Sequence, residues 1–232
     1  MIKKKNAIIL CSGGLDSIVT AHYVKRKLGY NKLKIIFFNY GQKTLLKEKK
    51  CSKLCAKKFG ADFKEIALPE LSEISTSLIN RDGKIKKVIN SELGDTKKES
   101  KKWYVPCRNL IFLSYAMAFA ESLFIRKKGK YDIFVGFKCE GSESYPDTTE
   151  DFLNKINSLG KLTIGKIKVY APLIKMDKED IILLGEKLGV NFKETFSCYV
   201  GKREHCGFCL SCKLRQAGFY WANVLDPTKY KN

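Results

Sequence analysis

The chain has 232 residues, and its 44 lysines and arginines against 24 aspartates and glutamates give a formal net charge of +20. With 44% hydrophobic and 12% aromatic residues it can bury a core, which excludes wholesale disorder. No apolar run approaches the roughly 18 residues of a membrane span, and the basic N-terminus is not followed by the apolar stretch of a secretory leader. The composition therefore predicts a cytoplasmic globular protein without membrane contact.

The excess of positive charge comes almost entirely from lysine. Only six of the basic residues are arginine, and the lysines are spread over the whole chain. Nucleic-acid and phosphate sites favour the planar guanidinium, whereas lysine is tolerated anywhere on a solvated surface. We interpret most of the charge as a compositional bias, and leave open that part of it attracts a polyanion such as ATP or, more weakly, RNA.

The first third of the chain alternates short apolar runs with longer amphipathic segments. Apolar runs of this length are typical of buried parallel strands, and segments closed by a glycine are typical of helices. The predicted order is strand 6–11, helix 16–28, strand 34–39, helix 45–59 and strand 62–68. This alternation predicts an α/β fold with a doubly wound, mostly parallel sheet.

The alternation breaks at 70–102, where serine, glutamate and lysine dominate. We expect a flexible insertion there, of the kind that often covers a substrate. Beyond it the sequence predicts helix 109–123, strand 131–135, helix 149–159, an extended segment 169–173 and helix 178–188. No repeat or linker divides the chain, so we expect one domain over 1–232 that includes a small cysteine-rich segment at 196–215 near the C-terminus.

The turn between the first strand and the first helix reads Ser12-Gly13-Gly14-Leu15-Asp16-Ser17. Glycines let the backbone approach an anion closely, and the free N–H groups at a helix start then point at it. Asp16 would repel phosphate unless it binds Mg²⁺ or caps the helix. A plain strand-to-helix turn remains the alternative.

This pattern after a first strand resembles the PP-loop of the N-type ATP pyrophosphatases. The resemblance implies an adenine nucleotide alpha hydrolase-like fold, adenylation of a substrate by ATP, and pyrophosphate as a product. It also implies that the loop holds ATP through eight consecutive residues, namely Leu10, Cys11, Ser12, Gly13, Gly14, Leu15, Asp16 and Ser17.

Four of the nine cysteines crowd together near the C-terminus, at Cys198, Cys206, Cys209 and Cys212. Four thiolates at this spacing can close a tetrahedron around a structural Zn²⁺. An iron–sulfur cluster or four unrelated thiols are the alternatives. His205 could replace one cysteine, but we interpret it as a solvated neighbour.

Two further segments contain charged or reactive side chains, one at the start of a predicted helix and one after the end of a predicted strand. Arg108 falls in the first turn of a helix, where a cation is unfavourable unless an anionic ligand lies nearby. Cys107 beside it is interpreted as a packing residue, since no partner histidine is identifiable. The loop after strand 131–135 carries Glu140, Glu143 and Asp147, which could bind an amine-bearing ring, orient Mg²⁺ or exchange protons. A solvated acidic loop is the alternative there.

Taken in order along nearly the whole chain, the motifs resemble the 7-cyano-7-deazaguanine (preQ0) synthase family. The matching pieces are Ser12 to Ser17, Asn39-Tyr40-Gly41-Gln42, 105–109, Tyr145-Pro146-Asp147, Ala171-Pro172-Leu173-Ile174, and the cysteine cluster with Lys213-Leu214-Arg215. The resemblance implies conversion of 7-carboxy-7-deazaguanine by ammonia to an amide and then a nitrile, with ATP consumed at both stages.

The resemblance also implies roles for individual residues. Asp16 and Arg108 would be catalytic, with Mg²⁺ and Arg108 neutralising the phosphates as they react. Zinc would be held by the four cysteines. The deazapurine side of the pocket would include Glu140, Glu143, Tyr145 and Asp147.

The sequence departs from the family pattern on the deazapurine side of the pocket, at Gly141, Glu143, Ser144, Thr148 and Thr149. These departures leave open a paralogous ligase that transfers a similar acid to another amine, on a protein or nucleic acid. A tRNA-modifying PP-loop enzyme and a non-catalytic zinc-stabilised binding module stay open as well. The family resemblance also implies a homodimer.

Overall fold

The computed structural model describes residues 5–138, 145–201 and 203–231. Its centre is a sheet of five parallel strands in the order β3-β2-β1-β4-β5. The strands are β1 (Asn6–Leu10), β2 (Lys32–Asn39), β3 (Asp62–Ala67), β4 (Tyr131–Val135) and β5 (Val169–Tyr170). Since β1 lies between β2 and β4, the chain winds outward in both directions from the first strand, as a doubly wound fold requires.

The first strand shows why the sequence forms this sheet. Ala7, Ile8 and Ile9 are all fully buried, because helices cover both faces of the sheet. Ile8 faces one apolar layer, whereas Ala7 and Ile9 face the other, as the alternation of side chains along a strand demands. A continuous apolar run is therefore the expected pattern for this strand.

Eight α-helices connect and cover the strands in the described part of the chain. They are α1 (Leu15–His22), α2 (Leu45–Lys58), α3 (Pro69–Ile74), α4 (Lys97–Lys101), α5 (Arg108–Ile125), α6 (Glu150–Gly160), α7 (Lys178–Lys187) and α8 (Leu210–Trp221). Buried residues of α5 and α6 belong to the first apolar layer. Those of α1, α7 and α8 share the second layer, and α8 contributes to the first layer as well.

The predicted strands and helices are found with small shifts at their ends. Helix 16–28 is α1 continued by a π-helical turn over Tyr23–Lys27, and Gly29 ends it with a φ of +69°. Helix 149–159 is α6, for which Thr149 is the N-cap: its hydroxyl accepts the amide hydrogen of Phe152 at 3.2 Å. The α/β fold class is confirmed.

The segment 70–102 is long, and much of it is irregular. It contains most of α3, a 3₁₀ turn over Asn90–Gly94 and α4. Leu71, Ile79 and Val88 are buried in the first apolar layer, so these points of the segment are fixed to the domain. Its flexibility stays a prediction.

Among the described helices, α5 alone is long and apolar enough to span a membrane by length and composition. In the structure Leu113, Ala116 and Ala120 on this helix are buried in the first apolar layer. Such packing is that of a core helix in an α/β domain.

Candidate active site

A cavity of about 300 Å³ opens where the carboxyl ends of β1, β2 and β4 meet. It lies at the point where the strand order reverses, which is where open α/β sheets bind their ligands. Residues from the turn after β1, the turn after β2, the start of α5, the start of α7 and the cysteine-rich segment line it. Several chain segments that are distant in sequence therefore meet at one site.

The turn after β1 forms one wall of this cavity. Gly14 is the N-cap residue of α1, and the hydroxyl of Ser17 donates to its carbonyl oxygen at 2.9 Å. The Ser12 hydroxyl accepts the amide hydrogen of Gly14 at 3.3 Å and lies 3.3 Å from the Ser17 hydroxyl. The N-terminal end of α1 thus faces the cavity with two hydroxyl groups beside it, an arrangement suited to an anion.

Of the eight residues predicted to hold ATP, seven line the cavity, and Gly13 does not. Gly13 has a φ of +82°, and a Cβ atom there would lie 2.3 Å from the carbonyl oxygen of Glu48. Its own carbonyl oxygen accepts the amide hydrogen of Phe196 at 2.9 Å. Glycine at this position thus allows the loop to pack closely on α2 and to bind the cysteine-rich segment.

Asp16 is held by a lysine that no sequence motif indicates. Both carboxylate oxygens accept from the Nζ of Lys178, at 2.7 Å and 2.8 Å. Lys178 is the first residue of α7, and both side chains line the cavity. Asp16 lies in the first turn of α1, and the hydrogen bonds of its carboxylate go to Lys178. Lys178 thus neutralises the carboxylate of Asp16 beside the predicted phosphate site.

Arg108 begins α5 and lines the cavity, as its predicted role requires. Its Nη1 donates to the hydroxyl of Tyr40, which follows β2, at 3.2 Å. Cys107, the residue before it, has a φ of +53° and is exposed. The packing role expected for Cys107 is therefore wrong.

A second acidic group, Glu48, lines the cavity from α2. It accepts hydrogen bonds from the side-chain amide of Gln42 at 3.1 Å and from the hydroxyl of Thr44. Burial raises the pKa of Glu48, against the opposing effects of these hydrogen bonds and of the positive charge of Arg108. Glu48 was not predicted as a site residue, because a single glutamate on a lysine-rich helix is typical of solvated surface.

The predicted deazapurine side of the pocket is described only in part. Glu140 and Glu143 lie outside the described residues, as do the departures Gly141 and Ser144. Tyr145 lines the cavity, together with Thr148.

Asp147 is buried and does not line the cavity. Its carboxylate accepts the backbone amide hydrogen of Asn109 at 3.3 Å, and its carbonyl oxygen accepts from the Asn109 side chain at 3.3 Å. Burial raises the pKa of Asp147, and the charge of Arg108 opposes the shift. The contacts of Asp147 are therefore those of a residue that fixes the start of α5.

The four clustered cysteines converge in the structure. Their sulfur atoms all lie within 4.8 Å of one another, and all four residues are buried. A tetrahedral zinc with Zn–S bonds of about 2.3 Å requires sulfur atoms about 3.8 Å apart. Two of the pairs are at 3.9 Å and 4.0 Å, so the group fits a metal of this size.

Backbone amides complete the surroundings of these sulfur atoms. The sulfur of Cys198 accepts from the amides of Val200, Gly201 and Cys206, and that of Cys206 accepts from the amide of Cys209. Such donors favour the thiolate form that a metal binds. The four residues belong to the first apolar layer, so the cluster is built into the core of the domain.

The cysteine-rich segment also shapes the cavity. Phe196, Ser197, Tyr199, Ser211 and Arg215 line it. His205 is not the solvated neighbour that we expected. It is only 6% exposed, its Nε2 accepts the amide hydrogen of Ser197 at 3.1 Å, and it does not belong to the metal-binding group. The segment thus joins the metal cluster directly to the wall of the cavity.

The glycine turn at the switch point, the Asp16–Lys178 pair and the cysteine cluster define a nucleotide-binding α/β protein of the PP-loop class. The model of the family described as Queuosine biosynthesis protein QueC matches residues 6–223, and the chain belongs to this family.

Known relatives match nearly the whole chain. A 7-cyano-7-deazaguanine synthase from Methanobrevibacter smithii is 36% identical over 97% of this chain and 98% of its own. Another from Nitratiruptor sp. is 41% identical over 97% of this chain and 99% of its own. The solved U34-tRNA thiolase NcsA from Methanococcus maripaludis aligns with 97% of this chain and 75% of its own at 13% identity and a TM-score of 0.48, too distant a likeness to bear on function. A paralogous ligase and a tRNA-modifying enzyme are not favoured by these matches.

Proposed function

We propose that this chain makes 7-cyano-7-deazaguanine from 7-carboxy-7-deazaguanine and ammonia in two ATP-dependent stages, as a step towards queuosine or archaeosine. The support is the family membership, together with a single cavity that the glycine turn, Arg108 and the cysteine-rich segment line in common. The class of enzyme is an ATP-dependent carbon–nitrogen ligase.

In the first stage a carboxylate oxygen of the substrate attacks the α-phosphorus of ATP, and pyrophosphate leaves. Ammonia then attacks the activated carbon, AMP leaves and an amide remains. In the second stage the amide oxygen is adenylated in the same way. Loss of AMP and of the remaining nitrogen protons produces the nitrile. Each oxygen of the carboxylate is thus converted into a good leaving group before it departs.

The residues of the cavity suit the charges that this chemistry creates. The amides at the start of α1 and the hydroxyls of Ser12 and Ser17 would hold the ATP phosphates. Lys178, fixed by Asp16, would add a cation beside them. Arg108 would bind the anionic acid or the charge that develops on the reacting phosphorus, with Tyr40 holding its guanidinium in place.

Two metal ions belong to the proposal. Mg²⁺ would accompany ATP and neutralise its phosphates, and Asp16 is the carboxylate that could contact it, because each carboxylate oxygen accepts in more than one direction. Zn²⁺ would be held by Cys198, Cys206, Cys209 and Cys212. Four sulfur ligands leave no open position, so the zinc would fix the segment that lines the cavity.

We further propose that the chain works in the cytoplasm as a homodimer, on small molecules alone. The eight described cysteines are all free, which suits a reducing compartment.

The direct test is to incubate the protein with ATP, Mg²⁺, ammonium and 7-carboxy-7-deazaguanine, and to follow AMP and the nitrile by mass spectrometry. We expect both products, and no nitrile without ammonium. AMP formation without the nitrile would contradict the proposal and indicate transfer of the acid to another amine.

A further inference from the structure

The cavity contains a carboxylate that the proposed chemistry does not use. Glu48 is held on the β2 side of the cavity by Gln42 and Thr44. Gln42 is itself fixed, since its oxygen accepts the amide hydrogen of Tyr40 at 2.9 Å and its nitrogen donates to the carbonyl oxygen of Phe38 at 3.0 Å. The carboxylate of Glu48 therefore has one defined orientation before any ligand binds.

The two acidic groups of the described cavity wall differ in their partners. Asp16 is neutralised by Lys178 at 2.7 Å and 2.8 Å. Within the described residues no salt bridge reaches Glu48, and the charge of Arg108 acts on it from a longer distance. Each oxygen of Glu48 accepts one hydrogen bond from the protein, and each can accept another. Glu48 is half-buried and lines the cavity, so this remaining acceptor capacity is available to donors on a ligand.

The chemistry of the two substrates shows which of them fits. The phosphates of ATP are repelled by a carboxylate, and its adenine edge has an amino group beside a ring nitrogen that only accepts. A 7-deazaguanine instead presents a ring N–H and an exocyclic amino group side by side. These two donors match the two oxygens of a carboxylate, as in charge-assisted paired hydrogen bonds elsewhere in proteins.

The walls next to Glu48 suit a flat heterocycle. Phe38 and Phe112 line the cavity and stack on each other, with ring centres 4.0 Å apart and an interplanar angle of 4°. The ring of Tyr40 meets Phe112 at 5.5 Å, and Trp103 also lines the cavity. Aromatic walls bind a purine-like ring through its faces and leave its edges to the polar groups.

We propose that Glu48 recognises the deazaguanine ring by accepting hydrogen bonds from the ring N–H and the 2-amino group of the substrate. This inference rests on the proposed function, and assigns the recognition of the amine-bearing edge to α2. Gln42 and Thr44 act as positioning residues for the carboxylate.

The test compares 7-carboxy-7-deazaguanine with the analogue that lacks the 2-amino group, 7-carboxy-7-deazahypoxanthine, in the wild-type protein and in Glu48→Gln. We expect the wild type to prefer the amino-bearing acid by about 100-fold in kcat/KM, since a lost hydrogen bond to a charged group costs about that factor. Glu48→Gln should lower kcat/KM for the amino-bearing acid by about 10- to 100-fold. The preference should then fall below about tenfold, while KM for ATP changes less than about threefold.

Two further variants separate recognition from support of the fold. Glu186→Gln, on the exposed side of α7, makes the same change of carboxylate to amide and should leave the preference intact. Thr44→Val keeps the carboxylate but removes a hydrogen bond that orients it, and should reduce the preference partially.

Three results would overturn the inference. One is an unchanged preference for the amino-bearing acid in Glu48→Gln. The others are an equal loss of activity on both acids, or a loss that appears mainly in KM for ATP or ammonium. If the wild type turns over neither acid, the proposed function itself fails, which distinguishes the two failures.

Discussion

Asp16 and Lys178 are 162 positions apart in sequence, and the Nζ of Lys178 donates to both carboxylate oxygens of Asp16. The side chain of Lys178 is 16% exposed and that of Asp16 is 27% exposed, so water screens the pair only partly. An acidic residue in an anion-binding turn is unfavourable alone. With Lys178 it is neutralised, and the lysine is fixed where phosphates are expected.

The first prediction concerns this lysine. Lys178→Met should raise KM for ATP at least tenfold and lower kcat/KM further, because the phosphates lose a cation and meet an unpaired carboxylate. Lys175→Met is the matched control, since Lys175 is 80% exposed in its side chain and pairs with an exposed Glu150. Initial-rate kinetics with varied ATP measure the effect. An unchanged KM for ATP in Lys178→Met would remove Lys178 from the phosphate site.

The two side chains should also be coupled. In the double variant Asp16→Asn with Lys178→Met, the fold-decrease in kcat/KM for ATP should be smaller than the product of the fold-decreases in the two single variants. The reason is that residues in direct contact do not act independently. If the fold-decreases in kcat/KM of the single variants multiply in the double variant, the two side chains contribute to ATP binding independently.

The second prediction concerns the cysteine cluster. Metal analysis of the purified protein should find about one zinc per chain, and Cys209→Ser should lower both the melting temperature and the zinc content. The melting temperature of a domain of this size falls by roughly 2–4 °C per kcal/mol of lost free energy of unfolding. For Cys209→Ser we expect the melting temperature to fall by about 10 °C or more. Exposed Cys107→Ser is the control and should leave both quantities unchanged.

The same variant tests what the zinc does. Because Ser197, Tyr199 and Ser211 line the cavity next to the cluster, Cys209→Ser should weaken ATP binding together with stability. Lost activity with unchanged stability would instead indicate a catalytic metal, and iron in the analysis would indicate an iron–sulfur cluster.

The features of the structure that depend on short stretches of sequence were predicted correctly. The turn 12–17 follows from glycines between an apolar run and a helix, and the metal cluster follows from the spacing of Cys206, Cys209 and Cys212 within one short segment. Both features depend on backbone geometry over a few residues, so the residue types and their spacing are sufficient to predict them. The parallel sheet follows equally from the alternation of apolar runs and helices.

The partners of the site residues required the tertiary structure. Nothing near Asp16 in sequence indicates Lys178, because the pair forms only when α7 packs against α1. Cys107 and His205 were assigned the wrong surroundings for the same reason. Exposure of a residue in a turn depends on which distant segment covers it, and Phe196 and Tyr230 cover His205.

The third prediction concerns Arg215, which is 1% exposed and lies in the cavity wall. Its guanidinium donates to the Thr195 hydroxyl at 2.8 Å and to the carbonyl oxygen of Phe192, and lies 3.3 Å from the carboxylate of Asp226. Arg215→Lys cannot make all these contacts, so we expect a lower midpoint of urea unfolding and weaker substrate binding. The control is exposed Arg126→Lys. Wild-type stability of Arg215→Lys would contradict this role.

The last prediction concerns pH and His22. This residue is 2% exposed, and its Nδ1 donates to the carbonyl oxygen of Leu188 at 3.1 Å. Burial, helped by the charges of Lys58 and Arg26, lowers the pKa of His22 from 6.5 to about 4. Between those pH values the unfolded chain binds a proton at this position that the folded chain does not. The free energy of unfolding must therefore decrease as the pH falls from 6.5 towards 4.

Replacing the imidazole removes this contribution. Glutamine does not titrate, so the difference in free energy of unfolding between the wild type and His22→Gln should decrease as the pH is lowered from about 7 to about 5. At about 1.4 kcal/mol per pH unit below 6.5, the expected decrease is about 2 kcal/mol. Urea unfolding of both proteins at the two pH values measures it, and the contributions of His205 and of zinc release cancel in the difference. Equal pH dependence in the two proteins would mean that His22 binds its proton as readily in the folded chain as in the unfolded one.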